Sequence, residues 1–313
     1  MRKNSYQLYR KITRSSFFLL FLFAPLLDIF RYDLALGHFI FFGQPWTLSL
    51  ESVLSGNADA FTATKIIFLK VLLPAAAFIS ISMLLIWKYG RIYCGWLCPH
   101  FSVVESINSL MLKQLNRVTL WEQPLTPNNS MLARGIVAIS SISMAFLWAV
   151  SLLSYLLTPI PLLTDLVNLE LNFGPLLFII VATTVFSTDF IVFRHLFCKY
   201  GCALGIFQSL IWMANKRAMA VKFDRKRAKA CRDCNKACDI ACPMRLPTRN
   251  IKRARFTCTQ CAQCISACEK VQENNPEGSL LQWVSGDKAI ETDRPAAKYI
   301  DASKQSIRVK QVD

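Results

Sequence analysis

Histidine is nearly missing from this chain of 313 residues: His38, His100 and His195 are all it has. There is no Cys-x-x-Cys-His run either, so covalently attached haem and a multihaem protein are excluded. Acidic residues are few, 20 Asp and Glu against 36 Lys and Arg, for a net charge of +16. That balance alone would suit a nucleic-acid binder. The chain is, however, 53% hydrophobic with a mean hydropathy of +0.34, and its apolar residues come in long runs. Apolar runs with cationic flanks are the pattern of a membrane protein, not of a nucleic-acid-binding domain. No substrate-shaping catalytic set is present, so the chain does not read as a stand-alone enzyme.

Lys and Arg are absent from two stretches, 37–64 and 158–172. The N-terminus (Arg2, Lys3, Arg10, Lys11, Arg14), the 88–134 connection and everything after 193 are basic. This asymmetry orients four apolar runs: Ser16 to about Leu36, Lys65 to Trp87, Gly135 to Leu157 and Phe173 to Val192. Both termini then face the cytoplasm of a bacterial inner membrane. The first run is read as a retained helix in preference to a signal peptide, because it is long and no small-x-small cleavage site follows. Lys70 is expected near a helix end, snorkelling. Residues 101–120 place Val104, Ile107, Met111, Leu115 and Val118 at helical spacing. That amphipathic helix would lie on the inner membrane surface or pack on a soluble domain.

The two halves repeat. Each is helix, outer loop, helix, then a Cys-x3-Cys pair and an apolar stretch. Pro45, Leu48, Glu51 and Val53 align with Pro159, Leu162, Asp165 and Val167 at one offset. Such parallel repeats imply a pseudo-twofold axis along the membrane normal. The organisation is a first hairpin repeat over 1–121, a second over 122–217, a cysteine-rich domain over 218–275 and a polar tail over 276–313.

Cysteine is what the chain has in place of histidine. Eight fall between Cys231 and Cys268. Cys258-x2-Cys261-x2-Cys264-x3-Cys268 has the spacing of a bacterial ferredoxin loop. Cys231-x2-Cys234-x3-Cys238-x3-Cys242-Pro243 is the same loop with one more residue. Three thiolates in a tight loop hold three corners of a cubane, and the fourth ligand comes from the other run. One [4Fe–4S] cluster is therefore assigned to Cys231, Cys234, Cys238 and Cys268. A second goes to Cys242, Cys258, Cys261 and Cys264. Zinc would want two pairs per ion, which runs of four do not suit, and a cytoplasmic disulfide framework is disfavoured.

The other four cysteines, Cys94, Cys98, Cys198 and Cys202, sit at the inner mouths of two spans. On a helix, positions four apart share a face. Three readings stay open: buried structural cysteines, a dithiol redox or transient metal site, or a third cluster shared across the pseudo-twofold. His100 and His195 flank them and are read first as packing residues. The sequence shows no convincing quinone pocket; Trp46 and Glu51 are candidates by position only.

Four spans, Tyr-Cys-Gly-Trp-Leu-Cys-Pro at 93–99, Phe-Cys-Lys-Tyr-Gly-Cys at 197–202 and the two ferredoxin runs resemble the NapH/MauN-type membrane ferredoxins. The Cys258–Cys268 run with the following Pro276-Glu-Gly also resembles the oxidase accessory protein CcoG and the polyferredoxin part of NosR. The resemblance covers roughly residues 10–285. It implies an electron-transfer subunit of a quinol dehydrogenase system, relaying electrons between the quinone pool and a protein redox partner. Its alternative is an electron donor or metal reductase in metal-cofactor assembly, as CcoG suggests. Ala203 stands where the family usually has proline. The lack of a further span after the cluster domain favours the NapH/MauN side. The expected fold is thus an α-helical membrane protein, four transmembrane helices in two repeats plus a C-terminal two-cluster ferredoxin domain.

Overall fold

The structure is a computed structural model that describes residues 5–34, 36–47, 60–117, 130–231, 234–253 and 255–290. The chain is mostly helical. Three helices are long and apolar enough to cross a membrane: Phe61–Tyr89, Met131–Ser154 and Phe173–Phe193. Each overlaps an apolar run expected from the sequence. Their lipid-ready surface is plain on the first of them, where Phe78, Ile79, Ile81 and Leu84 are all exposed.

The first helix, α1, is Ser5–Phe23. The expected run from Ser16 to about Leu36 is corrected at both ends. It stops early because Pro25 cannot continue a helix and Asp28 takes a positive φ of 50°. Aromatic alternation then makes strands β1, Phe30–Asp33, β2, His38–Phe41, and β3, Gln44–Trp46, paired antiparallel in that order. Phe42 and Gly43, with φ of 50° and 73°, form the two-residue turn whose twist suits a hairpin. The helix starts early because Arg10 and Arg14 find a carboxylate, Glu105.

Helix α2 runs from Ala60–Ile67 through a wide π turn, Phe68–Leu72, into Leu73–Tyr89. Lys70 sits in that turn, well inside the span and not near its end. Gly90 ends α2 at φ +67°, and a Cβ there would come within 2.6 Å of the buried Trp212 ring. Next come α3, Ile92–Trp96, and α4, Pro99–Leu115. The expected membrane-surface helix is corrected: α4 is buried along most of its length. Val103, Val104, Ile107 and Met111 pack against Ala133, Val137 and Trp148 of α5, Met131–Ser154. Its apolar face meets protein and not lipid.

After α5 come α6, Pro159–Asn168, and α7, Phe173–Thr188, which packs along α5 and ends in a π turn, Asp189–Phe193. A second π turn, Phe197–Gly201, leads into α8, Ala203–Met213, which lies against α2. Of the two aligned outer loops, Pro159, Leu162 and Asp165 fall on α6, whereas Leu48, Glu51 and Val53 lie outside the described residues.

The cysteine-rich part opens with strand β4, Ala220–Phe223. It pairs antiparallel with β5, Leu281–Val284. The expected loose tail from 276 thus holds a strand and a short helix, α11, Asp287–Ile290; residues 291–313 lie outside the described residues. Between the strands stand α9, Ala237–Ile240, and α10, Gln263–Val271, packed on each other. Buried Arg255 pins this part down, donating to the carbonyls of Ala289, Lys216 and Ala218. Phe101, Cys198 and Trp212 share one core with Val221, Met244, Leu246 and Leu281. The helical and cysteine-rich parts are therefore packed through common apolar residues.

Candidate metal centres

The eight cysteines of 231–268 fold into two neighbourhoods. One small cavity is lined by Cys231, Cys234, Cys238 and Cys268, with Phe223, Leu281 and Arg249. Cys231 lies within electrostatic reach of Cys268, Cys234 and Cys238. In the other neighbourhood Cys258 senses Cys261 and Cys242. Cys264 senses Cys261, Cys258 and Cys242 first, then Cys238 of the other group. The chain thus crosses over between α9 and α10, with Cys268 leaving its own run and Cys242 joining it.

Backbone amides point at these sulfurs. Leu246 N donates to Cys242 Sγ and Leu280 N to Cys268 Sγ, each at 3.4 Å. Ala262, at φ 57°, turns the chain so that α10 starts at Gln263, with Cys264 in its first turn. Burial pushes the Cys242 thiol up to about 11, and burial also raises Cys258, Cys261 and Cys264. Free thiols here hold their protons, and ligation to a metal must displace them.

The membrane-side cysteines converge as well. Cys94 lies in α3, while Cys98 is the residue that caps the N-terminus of α4. Cys198 lies in the second π turn, and Cys202 caps α8, its sulfur accepting from Gly205 N at 3.4 Å. Each pair therefore straddles a helix start, and the expectation of two sulfurs on one continuous helix face is corrected. The two pairs meet: one Arg91 nitrogen, Nη2, stands 2.7 Å from the Cys198 carbonyl and 3.8 Å from Cys94 Sγ. Gln208 Oε1 accepts from Cys94 Sγ at 3.4 Å. Burial pushes Cys98 up to about 12, with the Phe101 and His100 amides pulling the other way.

His100 lies close by, its Nδ1 3.9 Å from Cys198 Sγ and its Nε2 2.7 Å from Asp189 Oδ2. Burial lowers His100 to about 4, so it is neutral near pH 7. Asp189 escaped the sequence reading; its only signal there is a lone carboxylate at the inner end of an apolar run. His195 is buried. Trp46 is exposed on β3, and Glu51 lies outside the described residues.

Membrane motif and cysteine loop touch directly. A Cβ built on Gly95 would overlap the carbonyl oxygen of Thr259. Trp96 Nε1 donates to Gln260 O at 3.0 Å and Gln7 Nε2 to Cys261 O at 3.1 Å. Arg10 Nε donates to Gly95 O at 2.7 Å while its other nitrogens pair with Glu105. Gln263 Nε2 closes the ring on Glu105 at 2.5 Å.

A family model described as a 4Fe-4S binding domain matches residues 71–117 and 173–226. Each match carries one Cys-x3-Cys pair. An uncharacterized protein of Methanocaldococcus jannaschii is 28% identical over 182 residues, 58% of this chain and 70% of that protein. YccM of Escherichia coli, whose name assigns it to electron transport, is 28% identical over 204 residues, 63% of this chain. The match spans 53% of YccM, about half its length. The ferredoxin-type protein NapH of Escherichia coli is 22% identical over 248 residues, 77% of this chain and 76% of NapH. The chain resembles the NapH-like membrane ferredoxins, at low identity. No solved structure matches it.

The donors of this NapH-like chain fit an iron–sulfur cluster: each group is four cysteines, and Leu246 N and Leu280 N donate to the sulfurs of Cys242 and Cys268. A cluster spreads its ligands over several metal corners, and amide-to-sulfur hydrogen bonds are part of how a protein holds one.

Proposed function

We propose that this chain is a membrane-bound electron carrier between the quinone pool and a protein redox partner. Cys231, Cys234, Cys238 and Cys268 would hold one [4Fe–4S] cluster, and Cys242, Cys258, Cys261 and Cys264 a second. Cys94, Cys98, Cys198 and Cys202 would form a third, membrane-side redox or metal site. Bound clusters supply one-electron relays whose potentials follow charge, sulfur hydrogen bonds and solvent exposure.

The observation that carries this reading is the contact of Gly95 and Trp96 with Thr259 and Gln260. It sets the turn between Cys94 and Cys98 directly against the Thr259–Cys261 loop. On the other side of α3 lies a cavity of about 690 Å³, lined by Phe78, Met83, Ile86, Tyr93, Phe207 and Gln208. It is apolar enough for an isoprenoid tail. Gln208, which touches Cys94, gives it a polar end.

Four crossings suit the reading. Helix α1 carries Arg10, Lys11 and Arg14 in its first half, which packs on Glu105, and an apolar second half, residues 17–23, that would enter the bilayer. Its Gln7 reaches Cys261 at one end, while Phe21 O accepts from Tyr155 OH at the far end of α5. The basic ends near the cysteines would then face the cytoplasm.

The test is anaerobic purification in lipid nanodiscs, iron and sulfide analysis, and reduction by a short-chain quinol followed by EPR. Quinol-reducible cubane signals are expected. Colourless protein, or clusters that quinol never reduces, would overturn the proposal. If a Cys94→Ser, Cys198→Ser double variant keeps quinol oxidation but a partner loses its metal, the chain serves cofactor assembly instead.

A further inference from the structure

We propose that the exposed cations beside the Cys231, Cys234, Cys238 and Cys268 group form the docking surface for the redox partner, and that this partner is a small protein with an acidic face. This rests on the relay reading above. It goes beyond that reading by naming the partner's chemistry and where it lands.

The two cysteine groups differ in access. Cys242, Cys258, Cys261 and Cys264 are all buried, whereas Cys231, Cys234 and Cys268 are only partly so. The buried group is the one against the helical part, where Trp96 and Gln7 donate to the carbonyls of Gln260 and Cys261. The partly buried group is the one that a soluble carrier can approach closely. Val271, which lines its cavity, is 46% exposed.

The approach is cationic. Between residues 225 and 236 the sequence has six Lys and Arg against one acid, Asp233. The turn Arg225–Cys231 has no buried residue and ends on the first cysteine of the group. Arg225, Lys226 and Lys229 are exposed on it, and exposed Lys236 lines the cavity itself. Among the described residues none of these four side chains meets a carboxylate. Their neighbours Arg227 and Arg249 are instead taken by Glu277 and Asp239.

An anionic lipid surface would also attract such cations, but the turn is tied elsewhere. Gln272 Nε2 donates to Ala230 O and Arg227 Nη2 to Gly278 O, each at 3.0 Å. The helices meet the domain at other places: Ser209 Oγ donates to Phe256 O, and Tyr6 packs on Trp283. Among the described residues no hydrogen bond or ion pair joins the turn to the helical part. Unpaired cations beside a small exposed apolar spot suit brief encounters. Weak electron-transfer contacts are small, and opposite charge speeds and orients them. One electron crosses per encounter, the carrier being oxidised as the chain's centre is reduced, or the reverse; no bond is made or broken.

The experiment uses the full chain in zwitterionic nanodiscs and, as probe, a small acidic plant-type [2Fe–2S] ferredoxin. Reduced ferredoxin is mixed with the oxidised chain by stopped flow. A Lys226→Glu, Lys229→Glu, Lys236→Glu variant is expected to slow the second-order rate at least tenfold at low salt, and high salt should close the gap. A Lys216→Glu, Lys288→Glu variant should stay near wild type. Ferredoxin should also protect Lys226 and Lys229 of the wild type from acetylation. Full iron with an unchanged rate in the triple variant overturns the proposal. If that variant loses iron, Lys226→Gln, Lys229→Gln decides, and an unchanged rate there overturns it. Protection of these lysines by phosphatidylglycerol nanodiscs without ferredoxin would put the cations on lipid and overturn it too. Wild-type protein without iron would instead remove the relay reading, and protection by ferredoxin would still decide the surface.

Discussion

Gly95 and Thr259 meet backbone to backbone, and no side chain would fit between them. Gly95→Ala therefore cannot be relieved by a rotamer change, because the obstacle is a carbonyl. The Thr259 loop has to withdraw, taking Cys258 and Cys261 with it. Overpacking of this kind costs about 1–3 kcal/mol. The expected outcome is a quinol-to-cluster reduction rate at least tenfold slower, with the Cys231, Cys234, Cys238 and Cys268 group still loaded. Wild-type rates in Gly95→Ala would show that electrons do not use this contact.

Glu105 is the anionic centre of the same junction, holding Arg10, Arg14 and Gln263. Burial pushes its carboxyl up, but the hydrogen bonds and charges of Arg10 and Arg14 outweigh that and hold it below the ordinary value of 4.5. A depressed carboxylate contributes stability that is whole above its unfolded pKa and is lost as pH falls through the folded one. The junction should therefore loosen below about pH 4.5 in the wild type. Glu105→Ala leaves two cations facing no carboxylate, a loss of about 3–5 kcal/mol at neutral pH. Denaturant titrations at pH 7 and pH 4 check both, and the variant's curve should show less acid sensitivity than the wild type's.

Much of this was legible in the cysteine spacing and the apolar runs, since both are local. Three of the four expected spans match helices to within a few residues. The first did not, because Pro25 and Asp28 end α1 while the aromatic alternation of Phe39 and Phe41 builds strands; the length of the apolar run hid both. The face of α4 was legible, but not what covers it: Val104 and Met111 look alike whether they meet lipid or α5. Glu105, Asp189 and Arg91 were not found either. Each is an isolated charge in the sequence, and its meaning comes from partners up to 158 positions away, as Glu105 and Gln263 are.

Cys234→Ser and Cys264→Ser each remove one ligand, from different groups. Cys234 lines the cavity it shares with Cys231, Cys238 and Cys268, whereas Cys264 is buried beside Cys261, Cys258 and Cys242. Each variant is expected to lose about four irons per chain and a different EPR signal. Loss of the same signal in both would mean that the crossed ligand groups are wrong.

Orientation can be read from outside the cell. Gln44 lies on the hairpin, which binds the far end of α5 through Tyr32 N to Tyr155 O. Glu170 follows α6 at that same end, whereas Lys216 follows α8 beside the cysteine-rich part. All three are exposed. Lys and Arg favour the cytoplasmic side, and the hairpin end has few of them. In intact cells an impermeant maleimide should label Gln44→Cys and Glu170→Cys but not Lys216→Cys. After lysis all three should react, and the twelve native thiols should add little because they are buried or partly so. Labelling of Lys216→Cys in intact cells would invert the arrangement. Labelling of Gln44→Cys alone would mean that α6 lies inside and that one of α5 and α7 does not cross.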